Sequence, residues 1–186
     1  MNCFRAALVA VLACGCMSAA AAGNSNTAAA ALQSLSDGKG TTTYWGDGAH
    51  YEIRGPGVTV FFLKRDDGAV VAPLIRVAYV GDGWINVRSV TFTVGERTFG
   101  PYTDGFGKPA RVEANGSLVV ETLIFKVDTD EKWQMLDGIA EASELGRPVI
   151  AVFEADSAYG IELDRAAKVA TRQVVQGFRD LSVRAH

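Results

Sequence analysis

The sequence predicts an α+β domain, an antiparallel β-meander sheet packed against two helices, with helix, hairpin and helix as its C-terminal order. Three observations carry the prediction. Apolar residues alternate with period two between about Tyr44 and Val94, the spacing of strands with one buried face. Leu118 to Val127 is apolar on both faces, as in an interior strand covered on both sides. Beyond Asp130, and again beyond Asp164, apolar residues recur at three and four, the spacing of a helix buried along one stripe.

The elements follow in chain order. Val58, Val60 and Phe62 alternate with Thr59, Phe61 and Leu63 in a first clear strand; Leu74 to Val80 gives a second and Trp84 to Val94 a third. Arg65-Asp66-Asp67-Gly68 and Gly81-Asp82-Gly83 separate them as turns, in which Gly supplies a positive φ at no steric cost. In the third run Ile85 and Val87 fall on one face and Val90, Phe92 and Val94 on the other, so a β-bulge near Arg88-Ser89 is expected to return both sets to the core. Val94-Gly95-Glu96-Arg97 predicts a two-residue hairpin that lays Arg97 to Phe99 against Thr91 to Val94. Gly100 to Pro109 follows as a Gly/Pro-rich loop, long for a hairpin connection and of the kind that carries function.

Asp130 is placed to cap a helix running to about Leu145, with Trp133, Leu136, Ile139, Ala140 and Ser143 on its inner stripe and Gly146 and Pro148 to stop it. Val149 to Phe153 and Tyr159 to Leu163 form a hairpin. Asp164 caps a last helix whose stripe is Ala167, Ala170, Val174, Phe178 and Leu181. One domain over residues 40–182 results, with 23–39 as a flexible N-terminal segment and 183–186 as a tail.

Residues 1–22 have the order of a secretory signal peptide: Arg5 in the basic region, a short apolar run from Ala6 to Ala13, and the small residues Ser18 to Ala22. Release after Ala22 is preferred. The competing reading takes Val11-Leu12-Ala13-Cys14 as a lipoprotein box with a lipid anchor on Cys14, but Leu12 is bulkier than such a box usually carries. Periplasmic or secreted placement is therefore expected, a membrane-anchored lipoprotein being the alternative. All three cysteines (Cys3, Cys14 and Cys16) lie in this leader, which leaves no disulfide framework and no thiol ligand for a metal beyond it.

Composition narrows the function classes. With 48% hydrophobic residues, 21% charged residues and a formal charge of −3, the chain resembles an ordinary globular domain rather than a disordered, collagenous or polybasic one. Nucleic acid is thus not expected as a partner, and no run after the leader is long enough to cross a bilayer. Catalytic and cofactor signatures are equally scarce. Of two histidines, His186 is the last residue and His50 lies in an alternating strand-like stretch, so neither a zinc site nor a Ser-His-Asp triad is expected. Asp128-Thr129-Asp130-Glu131 reads as a strand end and helix cap, since it lacks the remaining spacing of a calcium loop. No catalytic residue, metal or cofactor is assigned.

Two surfaces remain as candidates. Trp45, Tyr102 and Phe106 lie near turns or in the Gly/Pro loop, where aromatics supply rigid contact area for a protein or glycan partner. Arg165, Lys168, Arg172 and Arg179 fall on one side of the last helix, opposite its apolar stripe, as a cationic strip. The expectation is an exported, non-enzymatic binding or accessory protein of the bacterial envelope. Its rivals are a carboxylate-dependent hydrolase of an envelope polymer and an inhibitor or immunity-type protein using the Tyr102 to Lys108 loop.

Overall fold

The computed structural model describes residues 32–47, 57–114 and 118–184; the leader with Cys14, and His50, lie outside them. The α+β class is as predicted, with the antiparallel strands divided between two sheets. Six strands, β1 (Leu32–Ser36), β2 (Thr41–Gly46), β3 (Gly57–Arg65), β4 (Val70–Gly81), β7 (Ala110–Ala114) and β8 (Leu118–Lys126), pair in the order β1-β2-β3-β4-β8-β7. The other four, β5 (Ser89–Val94), β6 (Arg97–Tyr102), β9 (Val149–Glu154) and β10 (Tyr159–Glu162), pair in the order β10-β9-β5-β6. The helices are α1 (Asp130–Leu145) and α2 (Arg165–Arg184).

One apolar cluster joins both sheets and both helices. Val60 and Phe62 of β3, Ile75 and Val77 of β4 and Leu123 and Phe125 of β8 meet Val90 and Phe92 of β5, Ala151 and Phe153 of β9, Leu136 and Ile139 of α1 and Val174 of α2. Aromatic contacts tie the two sheets directly: Phe92 sits 6.3 Å from Phe125 and Tyr79 4.8 Å from Tyr159, both edge to face. Helix α2 packs across β2, β3 and β4, and α1 across β5 and β6. At β2 the approach is close enough that a Cβ on Gly46 would lie 2.3 Å from the Ala170 carbonyl oxygen, so only glycine fits there. Strand β8 runs between β4 and β7 and buries Val120 on the face opposite Leu123, as its two-sided apolar pattern implied. Pro73 falls where the β3–β4 register slips, a position at which its missing N–H costs no ladder bond.

Several local expectations change. The segment read as flexible contributes edge strand β1, whose Leu32 reaches Gly177 of α2, and α2 continues through the backbone of the expected tail to Arg184. Thr129, not Asp130, caps α1: its hydroxyl accepts from the Lys132 amide at 3.4 Å, and Asp130 becomes the first helical residue. Gly146 closes the helix at φ 64°, and Asp164 caps α2 by accepting from the Ala167 amide at 2.7 Å, both as expected.

The largest correction concerns the run from Trp84. Both Ile85 and Val87 are buried, but residues 84–88 are not strand, and no bulge near Arg88-Ser89 is needed. Asn86 adopts φ 55°, which turns the chain, and the amides that would have entered a ladder donate instead to one side chain. Glu121, fully buried on β8, accepts from Ile85 at 2.7 Å and Asn86 at 2.9 Å through Oε1, and from Val87 at 2.8 Å through Oε2. Arg111 of β7 stands 3.6 Å from the same carboxylate and donates to the Asn86 side-chain carbonyl at 2.7 Å. A single acidic side chain of the large sheet thereby fastens the entry of the small one.

Candidate functional site

The Gly/Pro-rich stretch is partly strand. Strand β6 runs through Tyr102, past a cis Gly100–Pro101 bond, so the loop proper is residues 103–109. Its shape is set by backbone fastening. Asp104 accepts from the Phe106 amide at 2.8 Å and, with its second oxygen, from the Ile124 amide at 2.9 Å, while the Gly105 amide donates to the Ile124 carbonyl at 2.8 Å. The loop therefore continues the ladder on the β8 edge beyond the end of β7. A Cβ at Gly105 would stand 3.3 Å from the Ile124 oxygen, so glycine permits this approach. Phe106 projects from it with 73% of its surface exposed.

Between this loop and the sheet lies an open cleft of about 720 Å³, within the range of roughly 300–1,000 Å³ typical of small-molecule sites. Leu63 of β3 with Val71 and Leu74 of β4 supply apolar wall, and Pro101, Tyr102 and Phe106 close the side toward the loop. The junction of β8 and α1 adds Phe125, Lys126, Asp128 and Lys132, and the end of β3 adds Arg65. Three cations against one carboxylate give the cleft a positive sign on a chain of net charge −3. Lys132 donates to Asp128 at 2.8 Å, and this hydrogen bond holds the Asp128 carboxyl below its ordinary range. Arg65 and Lys126 are exposed and form no ion pair among the described residues.

The structure separates the three aromatics singled out in the sequence. Phe106 and Tyr102 both line the cleft, but Tyr102 is only 7% exposed and is wall rather than free contact surface. Its ring lies 5.0 Å from Phe125 and its hydroxyl donates to Glu131 at 3.0 Å; burial, and then that hydrogen bond, push the phenol well above its ordinary pKa. Trp45 is not part of the cleft. It sits four residues beyond Thr41, the β2 residue on the lining, which is about 13 Å along an extended strand. Its indole N–H donates to Gln33 at 3.2 Å.

The cationic strip is engaged within the molecule. Arg172 pairs with Glu144, Arg179 donates to both oxygens of Asp137 at 2.8 and 2.9 Å, and Lys168 donates to the Arg147 carbonyl at 3.1 Å. The Arg165 side chain forms no hydrogen bond or ion pair among the described residues. Two of the four, Arg172 and Arg179, thus clasp α1. Asp128 to Glu131 divides as a strand end and helix cap should: Thr129 caps, Asp128 turns to Lys132, and Glu131 accepts from Tyr102 and from the Gly100 amide at 3.1 Å. Among the described residues no group of three His, Cys, Asp or Glu side chains is placed to hold a metal ion, and no helix is long and apolar enough to cross a membrane.

Arg65, Lys126 and Lys132 were not singled out in the sequence, because Arg65 lies about sixty residues before the other two and only the fold brings it to them. Glu121 carried one usable signal, an acid in the middle of a two-sided apolar strand, which must find buried donors. Comparison with family models, with curated proteins and with solved structures gives no match for this chain.

Proposed function

We propose that this chain is an exported, non-enzymatic binding protein of the bacterial envelope, and that it takes its ligand in the cleft beside the 103–109 loop. The observation that carries the reading is the cleft itself: apolar walls, a fastened loop presenting exposed Phe106, and two exposed cations, Arg65 and Lys126, that form no ion pair among the described residues. A preformed site of this kind binds without the entropy cost of ordering a loop. Export rests on the composition of residues 1–22, with a lipid anchor on Cys14 as the alternative to release.

The hydrolase reading needs two carboxylates converging on an open site. The lining offers one, Asp128, already committed to Lys132, and buried Glu121 is saturated by three amides. The inhibitor reading keeps one observation in its favour: a loop held on both sides by Asp104, with an exposed aromatic at its tip, is shaped for insertion into a partner. Mapping amide shifts of the isotope-labelled protein during titration with solubilised envelope extract tests the proposal. Perturbations along Leu63 to Arg65, Thr103 to Phe106 and Lys126 to Lys132 are expected. Changes confined to Phe106 and its sequence neighbours would favour the inhibitor reading, and changes clustered on α2 or absent altogether would overturn the proposal.

A further inference from the structure

Within the reading of the cleft as a binding site, on which this step rests, the distribution of charge and apolar surface narrows the ligand. We infer that the cleft takes a single-chain amphiphile with an acidic head, the chemistry of a fatty carboxylate. Leu63, Val71 and Leu74 form a continuous apolar patch, because Leu63 pairs with Val71 across the β3–β4 ladder and Phe61, its neighbour two residues back, pairs with Leu74. Phe106 stands over this patch from the loop side with most of its ring in solvent. An apolar chain laid between them would bury surface on both sides, at roughly 25 cal/mol per Å² removed from water.

The head is identified by two cations without an ion pair among the described residues that stand beside this apolar patch. Elsewhere in the described structure Arg88 pairs with Asp156, Arg172 with Glu144 and Arg179 with Asp137, and within the cleft Lys132 pairs with Asp128. Arg65 and Lys126, like exposed Arg97 and Arg165, form no ion pair among the described residues, although the chain carries more acids than bases. Both border the apolar patch, Arg65 two residues beyond Leu63 on β3 and Lys126 directly opposite Leu74 in the β4–β8 register. A carboxylate beside that patch would meet a guanidinium, whose planar fork suits it, and an ammonium. A neutral ligand would leave both cations unused, and a small inorganic anion would leave the patch unfilled.

Calorimetric titration of the full chain with decanoate, decanol and inorganic phosphate tests this, with Nile red fluorescence as a separate report of the apolar cleft. Decanoate should bind at least about tenfold more tightly than decanol. The double variant Arg65→Ala, Lys126→Ala should lose about ten- to a hundredfold in decanoate affinity, the loss expected for charge-assisted hydrogen bonds, with decanol unchanged. Phe106→Ala should weaken decanoate and decanol alike. Thermal melts of each variant establish that the fold is kept, and the single variant Lys126→Ala serves if the double one is not folded. Equal affinity for decanoate and decanol, or phosphate binding as tight as decanoate, would overturn the acidic-amphiphile assignment while leaving the binding reading in place. Failure of Nile red as well as all three titrants to bind would overturn both. Tight decanoate binding that survives the charge variants would place the acid elsewhere and likewise overturn the inference.

Discussion

Removing the Glu121 carboxylate tests how the two sheets are joined. In Glu121→Ala the amides of Ile85, Asn86 and Val87 lose their acceptor at once. The bonds to Ile85 and Val87 are buried, and each unsatisfied donor costs about 1–3 kcal/mol, whereas the partly buried Asn86 amide can turn to water. Against this stands the relief of no longer burying a charge, which Arg111 at 3.6 Å offsets only in part. The net loss should be about 3–5 kcal/mol, the range found when one partner of a buried charged network is removed. That is a large share of a domain stability of about 5–15 kcal/mol. Glu121→Gln keeps one carbonyl oxygen for Ile85 and Asn86 but turns an NH2 toward the Val87 amide, so it should lose less, about 1–3 kcal/mol. Urea melts give the magnitudes, with Glu113→Ala on the exposed face of β7 as a control expected within about 0.5 kcal/mol. Hydrogen exchange gives the location: the Ile85 and Val87 amides should be protected in the wild type and lose protection in the variants ahead of the rest of β5. A Glu121→Ala chain within about 1 kcal/mol of wild type, with those amides still protected, would refute the account of how residues 84–88 are held.

Three further outcomes follow from packing and titration. Phe125→Ala should cost about 3–5 kcal/mol in denaturant melts because Phe125 is 2% exposed and packed on Phe92 and Tyr102; Phe178→Ala, half-buried against Phe62 and Trp133, should cost less, and Arg172→Ala about 0.5 kcal/mol or below. Gly46→Ala should destabilise by about 1–3 kcal/mol, since the new methyl group meets the backbone of Ala170 and only movement of α2 can make room. The Tyr102 phenol is raised in the folded chain relative to the unfolded, so the folded state keeps a proton that the unfolded state releases, and stability should fall as pH rises above about 10. Tyr102→Phe should flatten that alkaline decline while losing about 1 kcal/mol near neutrality for the bond to Glu131.

How much of this was legible in the sequence depended on how local its cause was. The β3, β4 and β8 strands and both helices announced themselves by periodicity, and the Val94 to Arg97 hairpin by its Gly at a left-handed position, φ 59° in the structure. The edge strands β1 and β7 did not, because Leu32–Ser36 and Ala110–Ala114 are only five residues long and carry few large apolar side chains, and only their neighbours make them strands. The phase conflict between Ile85 and Val90 was visible, but its resolution was not: it needed an acceptor 34 to 36 residues further along the chain. The need for glycine at position 46 was not legible, since nothing local shows that a helix backbone from the far end of the chain lies against it. The candidate site was half legible. Phe106 stood out by its loop, whereas Tyr102 looked exposed until β6 carried it into the core, and the basic strip looked open until α1 brought Asp137 and Glu144 opposite it. Arg65 joined Lys126 and Lys132 only through the topology.

Whether the cleft is where this protein meets its partner can be measured in cells without knowing the partner. A photo-crosslinking phenylalanine analogue placed at Phe106, at Thr103, at Arg172 on α2 and at Ile150 on the exposed face of β9 reports contact at each position separately. Adducts from Phe106 and Thr103, with none from Arg172 or Ile150, are the predicted result. Adducts from Arg172 or Ile150 with none from the two cleft positions would contradict the account.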